Sequence, residues 1–318
     1  LASRVVLAIA QIPFQFNGQD IRITSSIGIA LFPLHAQDGE MLVARADAAM
    51  YQAKLAGKNN WRVYQAEQDS SRDMVLTMHW NRRIDLALQT DLFVPYLQGV
   101  YDTSTRALSH YEVLIRMRET TDDTLIPPAQ FIPVAEQSGQ ILAIDRWVLT
   151  QSVNILASHP EIPALAVNLS GRSLDDVTLI DFIAELLAQH ELDHTRLMFE
   201  ITETAALSDL RDAQRTIQAL RLMGCSVSLD DFGTGFASFA YLKYLDADML
   251  KIDGLFIRNI CEEPDNRIFI QAIVDVAHGL GKKTIAECVE TVEIYDILKQ
   301  LGVDMVQGYY LHRPSPIV

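Results

Sequence analysis

Two adjacent carboxylates, Asp230 and Asp231, stand in the stretch SVSLDDFGTG (residues 226–235), where an alternating apolar pattern gives way to a glycine turn. Val227 and Leu229 alternate with Ser226 and Ser228, which predicts a strand with one buried face. The aspartates fall at its carboxyl end. Adjacent side chains of a regular strand point to opposite faces, but Gly233 and Gly235 permit a sharp turn that lets both acids face one pocket. Like charges that close raise each other's proton affinity unless cations hold them ionised, so the chemistry the pair suits is binding of one divalent metal or two. A lone Asp-Asp pair is more often a solvated loop start, and the rest of the chain has to decide between the readings.

Positioning such a pair takes a fold in which many strand ends converge. From Leu92 onward the chain is a regular series of apolar strands and amphipathic helices. Strands are predicted at Phe93 to Tyr101 and Ala107 to Met117, joined by the turn DTSTR, which is too short to cross a sheet and makes the two antiparallel. Further strands are predicted at Leu165 to Leu169, Arg196 to Thr202, Cys225 to Asp231, Asp248 to Asp253, Lys283 to Glu287 and Val303 to Gln307. Helices are predicted at Pro128 to Gln137, Asp209 to Met223, Asp265 to Leu280 and Thr291 to Leu301, running toward Gly139, Gly224, Gly281 and Gly302. This pattern fits a (β/α)8 barrel of the TIM type, modified by an antiparallel first strand, better than a doubly wound sheet, which has no GxGxxG support.

In such a barrel the carboxyl ends of the strands meet at one face. Those ends carry Glu112 and Arg116, then Asn168, then Glu200 and Glu203, then Asp230 and Asp231, then Lys251 and Asp253, then Glu287 with Glu290, and last Gln307. Carboxylates and amide oxygens are hard ligands suited to Mg²⁺ or Mn²⁺ and poor for zinc, and no histidine joins the set. Each residue alone reads as an ordinary surface charge or turn amide. His110, His278 and His312 have no partners at ligand spacing and read as surface or packing residues; Phe232, Phe236, Phe239 and Tyr241 serve equally well as a substrate lip or as core.

Composition sets the outer bounds. At 318 residues and 49% hydrophobic, the chain can bury a large core with room for a smaller piece beside it. A net charge of −15 disfavours binding to duplex nucleic acid, so a phosphate ligand has to be met by local cations. Cys225, Cys261 and Cys288 form neither a disulfide framework nor a metal-ligand spacing, which fits a reducing cytosol. Leu1 opens with neither a start methionine nor a signal-peptide pattern, so the chain is expected to continue upstream, where a sensor or a membrane anchor would lie.

The first portion predicts a strand over Ile21 to Phe32, a helix over Gly39 to Leu55 ended by Gly57, and a strand over Arg62 to Tyr64. Through SIGIA (residues 26–30) and ADAAMYQAKLAGKN (residues 46–59) it resembles the C-terminal part of a GGDEF, or diguanylate cyclase, domain. The glycine-glycine-acid loop of that family is not in these residues, and Asp38-Gly39-Glu40 does not match it, so cyclase activity is not expected of this stretch. Lys54 and Lys58 match phosphate-contacting lysines of the family but read as surface charges. The expected division is a GGDEF-like fragment over residues 1–66, a helical linker over 67–90 and a catalytic domain over 91–318.

That last region resembles an EAL domain, the cyclic di-GMP phosphodiesterase family. The resemblance is carried by EVLIR at Glu112 to Arg116, FIPVAEQSG at Phe131 to Gly139, VNLS at Val167 to Ser170, EITET at Glu200 to Thr204, LDDFGTG at Leu229 to Gly235, LKID at Leu250 to Asp253, AECVE at Ala286 to Glu290 and QGYY at Gln307 to Tyr310. Val113 replaces the family's alanine, Gly99 stands where proline follows Gln98, and Cys288 stands where glycine is usual, beside Glu287. The resemblance implies that Glu112, Asn168, Glu200, Asp230 and Asp231 hold two Mg²⁺ or Mn²⁺ ions, with Ca²⁺ inhibitory. It implies that Lys251 and Glu287 act on the water, and that Gln98, Arg116, Asp253, Glu290 and Gln307 contact substrate. Glu203, counted with the catalytic set, ties down the loop after Gly233. Adjacent cations lower the proton affinity of Lys251, which leaves a proton-accepting role open. The implied reaction is hydrolysis of cyclic di-GMP to linear pGpG, in a homodimer paired near the sixth strand. The alternative is a silent receptor of the same dinucleotide.

Overall fold

The computed structural model describes residues 2–11, 14–16, 19–21, 24–36, 38–56, 59–65, 71–120, 124–233 and 241–317. Packing divides the chain into two units, Leu1–Arg82 and Arg83–Val318. The break falls inside one long helix, Ser71–Gln89, within the stretch expected to link two domains.

In the first unit, helix Ala2–Gln11 precedes an antiparallel pair, Phe14–Phe16 with Gln19–Ile21. A strand at Ile27–Ile29 runs parallel to Trp61–Val63, with helix Gly39–Leu55 between them in sequence. Of the expected strand over Ile21 to Phe32, the described residues show Ile21 ending the antiparallel pair and Ile27–Ile29 pairing with Trp61–Val63, while residues 22–23 lie outside the described residues. The helix has the expected bounds; Asp38 caps its start, accepting from the Met41 amide. Ala49 and Ala53 are wholly buried, and Gly28 lets helix and strand approach so closely that an added Cβ would lie 1.9 Å from the Ala46 carbonyl oxygen. Lys54 is exposed; Gly57 and Lys58 lie outside the described residues.

The second unit is a closed barrel of eight strands: β1 (Phe93–Asp102), β2 (Leu108–Arg118), β3 (Leu165–Leu169), β4 (Leu197–Thr202), β5 (Ser226–Phe232), β6 (Met249–Ile252), β7 (Lys283–Ala286) and β8 (Met305–Gln307). Strands β2 to β8 pair in parallel, and β1 closes the ring by pairing antiparallel with both β2 and β8. Closure rules out the doubly wound alternative. The predicted helix over Pro128 to Gln137 is split into a 3-10 turn at Pro128–Gln130 and a helix at Ile132–Ser138, since Pro133 cannot donate and fits only in a first helical turn. Helices at Leu210–Leu222, Pro264–Gly279 and Val292–Gln300 fall within a residue of expectation.

The period of two along a strand sets what the barrel holds. Val100, Ala166, Met198, Met249, Ile285 and Met305 form one apolar layer inside it. Two residues further toward the upper rim, on the same strands or, for Glu287, just past the end of β7, stand Gln98, Asn168, Glu200, Lys251, Glu287 and Gln307. A polar layer thus rests on a mostly apolar one, in which buried His110 and Ser228 take the β2 and β5 positions below Glu112 and Asp230.

Candidate active site

Lys251 is at the centre. Its side chain is wholly buried, and its Nζ lies 2.7 Å from Glu200 Oε2, 2.8 Å from Glu287 Oε1, 3.3 Å from Asp230 Oδ1 and 3.7 Å from Glu112 Oε2. Burial disfavours its charge, but Glu112, Glu200, Glu287 and Asp230 outweigh this and hold the ammonium well above the usual lysine range. The direction is therefore toward a donor in this arrangement, opposite to the effect expected of adjacent cations.

One ammonium cannot neutralise four carboxylates. Burial raises Glu200 well above the ordinary carboxylate range, with Lys251 opposing it, and pushes Glu287 up to about 7. Burial and the neighbouring Asp230 and Asp253 raise Asp231 to about 6. Glu112 goes the other way: burial works against its charge, but Lys251 and the amides of Gln307 and Asn168 outweigh it. Those amides donate to the two Glu112 oxygens, Asn168 Nδ2 at 2.9 Å from Oε1 and Gln307 Nε2 at 2.6 Å from Oε2.

Oxygen atoms of Asp230, Asp231 and Glu287 lie within 4.8 Å of one another. The bend that makes this possible is visible in the backbone: Asp231 takes a φ of 54°, and its amide donates to Asp230 Oδ1 at 2.9 Å. Side chains that would alternate on a straight strand thus share one face. Glu200 Oε1 and Gln307 Oε1 are buried acceptors without a hydrogen-bond partner. Excess negative charge, hard oxygen donors and two orphaned acceptors fit divalent cations, with Glu112, Asn168, Glu200, Asp230 and Asp231 as the residues to hold them.

Other predicted residues stand around this ring. Gln98 Nε2 donates to the His312 carbonyl at 3.1 Å, and its Oε1 accepts from Gln307 at 3.3 Å. Asp253 accepts from the Leu255 amide and caps the short helix Gly254–Arg258. Glu203 Oε2 accepts the Gly233 amide at 3.0 Å, as the sequence suggested. Arg116 and Glu290 are not drawn into the ring: the Arg116 guanidinium lies 5.7 Å from the Tyr96 ring centroid and donates to the Ile115 carbonyl, and Glu290 is exposed, near the charge of Arg258. Phe232 is buried and Tyr241 is 38% exposed; Phe236 and Phe239 lie outside the described residues. The Cys288 thiol sits against Gly254 and Arg258, and its φ of 53° is one that glycine adopts more easily.

From the sequence His312 reads only as a surface or packing residue, and Asp145 is not singled out. The Nδ1 of His312 accepts the Gly99 amide at 3.1 Å, a bond that the usual proline could not make, so its ring and carbonyl together fix Gln98. Asp145 is a buried acid in a helix, and its signal was a charge among apolar neighbours in LAIDRWVL. His110 is buried inside the barrel beneath Glu112, and His278 pairs with Asp304 at 2.9 Å.

Glu203 gives a local test. Glu203→Ala is expected to free the Gly233 amide at a cost of about 1.5–3 kcal/mol and to lower turnover, while Glu203→Gln, which keeps an acceptor, recovers most of both. Thermal melts and initial rates of the two variants check this; wild-type turnover in the alanine variant would show the tie to be irrelevant.

A closed barrel with one antiparallel strand, and an acidic ring around a buried lysine at its upper rim, defines a class of acid-lined β/α-barrel proteins. The EAL domain family model matches residues 81–314, and the chain belongs to that family. The diguanylate cyclase, GGDEF domain model matches residues 2–60. Among curated relatives, the bifunctional diguanylate cyclase/cyclic di-GMP phosphodiesterase MucR of Pseudomonas aeruginosa is 34% identical over 99% of this chain and 46% of its own length. The cyclic di-GMP phosphodiesterase PdeR of Escherichia coli is 32% identical over 100% of this chain and 48% of its own. The chain spans less than half the length of these relatives. A P. aeruginosa MucR phosphodiesterase structure in complex with cyclic di-GMP superposes with a TM-score of 0.71 at 33% identity, over 75% of this chain and 98% of that one. The P. aeruginosa FimX EAL domain bound to cyclic di-GMP gives 0.70 at 31% identity, over 74% and 96%.

Proposed function

We propose that residues 91–318 hydrolyse cyclic di-GMP to linear pGpG, with residues 1–66 as a GGDEF-like appendage and 67–90 as the linker. The observation that carries this reading is the complete acidic ring around Lys251, together with relatives named as cyclic di-GMP phosphodiesterases. In the reaction a water oxygen bonds to one phosphorus, the bond to the ribose 3′ oxygen breaks, and that oxygen leaves with a proton.

Glu112, Asn168, Glu200, Asp230 and Asp231 would hold Mg²⁺ or Mn²⁺. Bound there, the cations supply an activated water and neutralise charge on the phosphate. Lys251, held as an ammonium, donates to the incoming water and fixes the carboxylates around it. Glu287 faces the same water. Arg116 reaches the substrate phosphate from its seat on Tyr96, with a fork that matches phosphate oxygens. Gln98, Asp253, Glu290 and Gln307 contact the dinucleotide around the rim. Pairing of two copies near β6, and a cytoplasmic site of action, belong to the same reading.

Activity is expected to vanish on chelation, to return with Mg²⁺ or Mn²⁺, and to be suppressed by Ca²⁺, whose longer bonds and looser geometry suit the closely set acids poorly. The assay is pGpG release before and after readdition. Full turnover in chelator would remove the cations from the account.

A further inference from the structure

We infer that Asp145 is a positioning residue for the metal-binding face, clamping the turn after β3 so that Asn168 stays aimed at Glu112. The inference rests on the proposed hydrolase reading. Asp145 lies on helix Ile141–Ser158, and its side chain is among the few buried acids of the barrel, 5% exposed. Its Oδ2 accepts three bonds, from the Ser170 amide at 3.0 Å, Ser170 Oγ at 2.6 Å and Ser173 Oγ at 2.6 Å. All three donors belong to the segment that leaves β3 directly after Asn168 and Leu169.

Capping alone does not call for this carboxylate. Ser170 Oγ already accepts from the Ser173 amide and caps the helical turn Gly171–Leu174 by itself. A carboxylate brought into an apolar wall is costly: burial raises the Asp145 carboxyl above its ordinary range against the pull of its three donors. What it gains is rigidity at one place. Leu169 is buried on one side of the turn and Ser170 is held on the other, which leaves the Asn168 backbone with little freedom. The Asn168 amide then donates to Glu112 at 2.9 Å, and its oxygen remains the atom available to a cation. Asp145, Asn168 and Ser170 also line one cavity of about 660 Å³ beside the acidic ring, so loosening the clamp would act on the site and on its wall together. Groups that orient a ligand without touching the metal typically change metal affinity by about 10- to 100-fold when removed.

The test is Mn²⁺ binding, followed by calorimetry and by the electron paramagnetic signal of the free ion, with no nucleotide present. Asp145→Ala is expected to weaken Mn²⁺ binding by about 10-fold. Asp145→Asn keeps an acceptor for the Ser170 amide and is expected to recover part of that loss, which also covers the case in which the alanine variant does not fold. Combining Asp145→Ala with Asn168→Ala should cost little more than Asn168→Ala alone, because both act through one ligand. Losses that add in full, or an unchanged Mn²⁺ affinity in both Asp145 variants beside a parent that binds normally, overturn the clamp alone. A parent protein that binds no Mn²⁺ overturns the hydrolase reading and the clamp with it.

Discussion

Asp230→Asn is expected to lower turnover of cyclic di-GMP by roughly 10²-fold or more while nucleotide affinity falls only modestly, a loss of about 3 kcal/mol concentrated in the transition state. Asp230 is the acid that belongs to both halves of the ring. One oxygen lies 3.3 Å from Lys251 Nζ and holds the Asp231 amide, and the carboxylate is also grouped with Asp231 and Glu287. Asparagine keeps the shape and one acceptor but removes a full charge from the place where divalent cations would sit. The proposed substrate contacts, Arg116, Gln98 and the rim, lie elsewhere and are expected to survive. Rates and equilibrium binding measured on the same variant decide the matter. A parallel loss in both would mean that Asp230 serves to bind the dinucleotide instead.

Lys251→Met is expected to be the most destabilising single change. Methionine fills much of the same volume but leaves Glu112, Glu200, Asp230 and Glu287 facing one another with no cation among them. Removing one partner of a buried ionic group typically costs about 3–5 kcal/mol. In a unit of this size that amounts to a fall in melting temperature of roughly 10 °C in chelator. Mn²⁺ should recover part of the loss by binding the folded state only. Turnover should be abolished with or without the metal. A melting temperature within about 2 °C of wild type in chelator would show that the carboxylates are relieved some other way.

Much of this was legible in the sequence because the signals repeat. Six strands entering from helices and one short DTSTR link pointed to the parallel barrel and its single antiparallel strand, and each strand end carried its own polar residue. The placement of Asp231 beside Asp230 was also readable, since Gly233 and Gly235 announced the bend that its φ of 54° now shows. Other features depended on tertiary approach. His312 looked idle because its partner Gly99 is far away in sequence and meets it only through closure of the barrel. Asp145 was hidden inside an apolar helix whose periodicity says nothing about which turn it will face. Arg116 shows the converse: the motif that marks it is local, yet its side chain lies on Tyr96, outside the acidic ring. In the first unit the single strand expected over Ile21 to Phe32 is, among the described residues, two separate pieces, Ile21 and Ile27–Ile29, because apolar composition does not reveal that the two have different partners.

The measurement that tests the central claim most directly is incubation of the purified protein with cyclic di-GMP and Mn²⁺, with the products resolved and identified. The account predicts linear pGpG, absent when chelator replaces the metal. Tight binding of intact cyclic di-GMP with no linear product at any Mg²⁺ or Mn²⁺ concentration would contradict it and make the acidic ring part of a receptor.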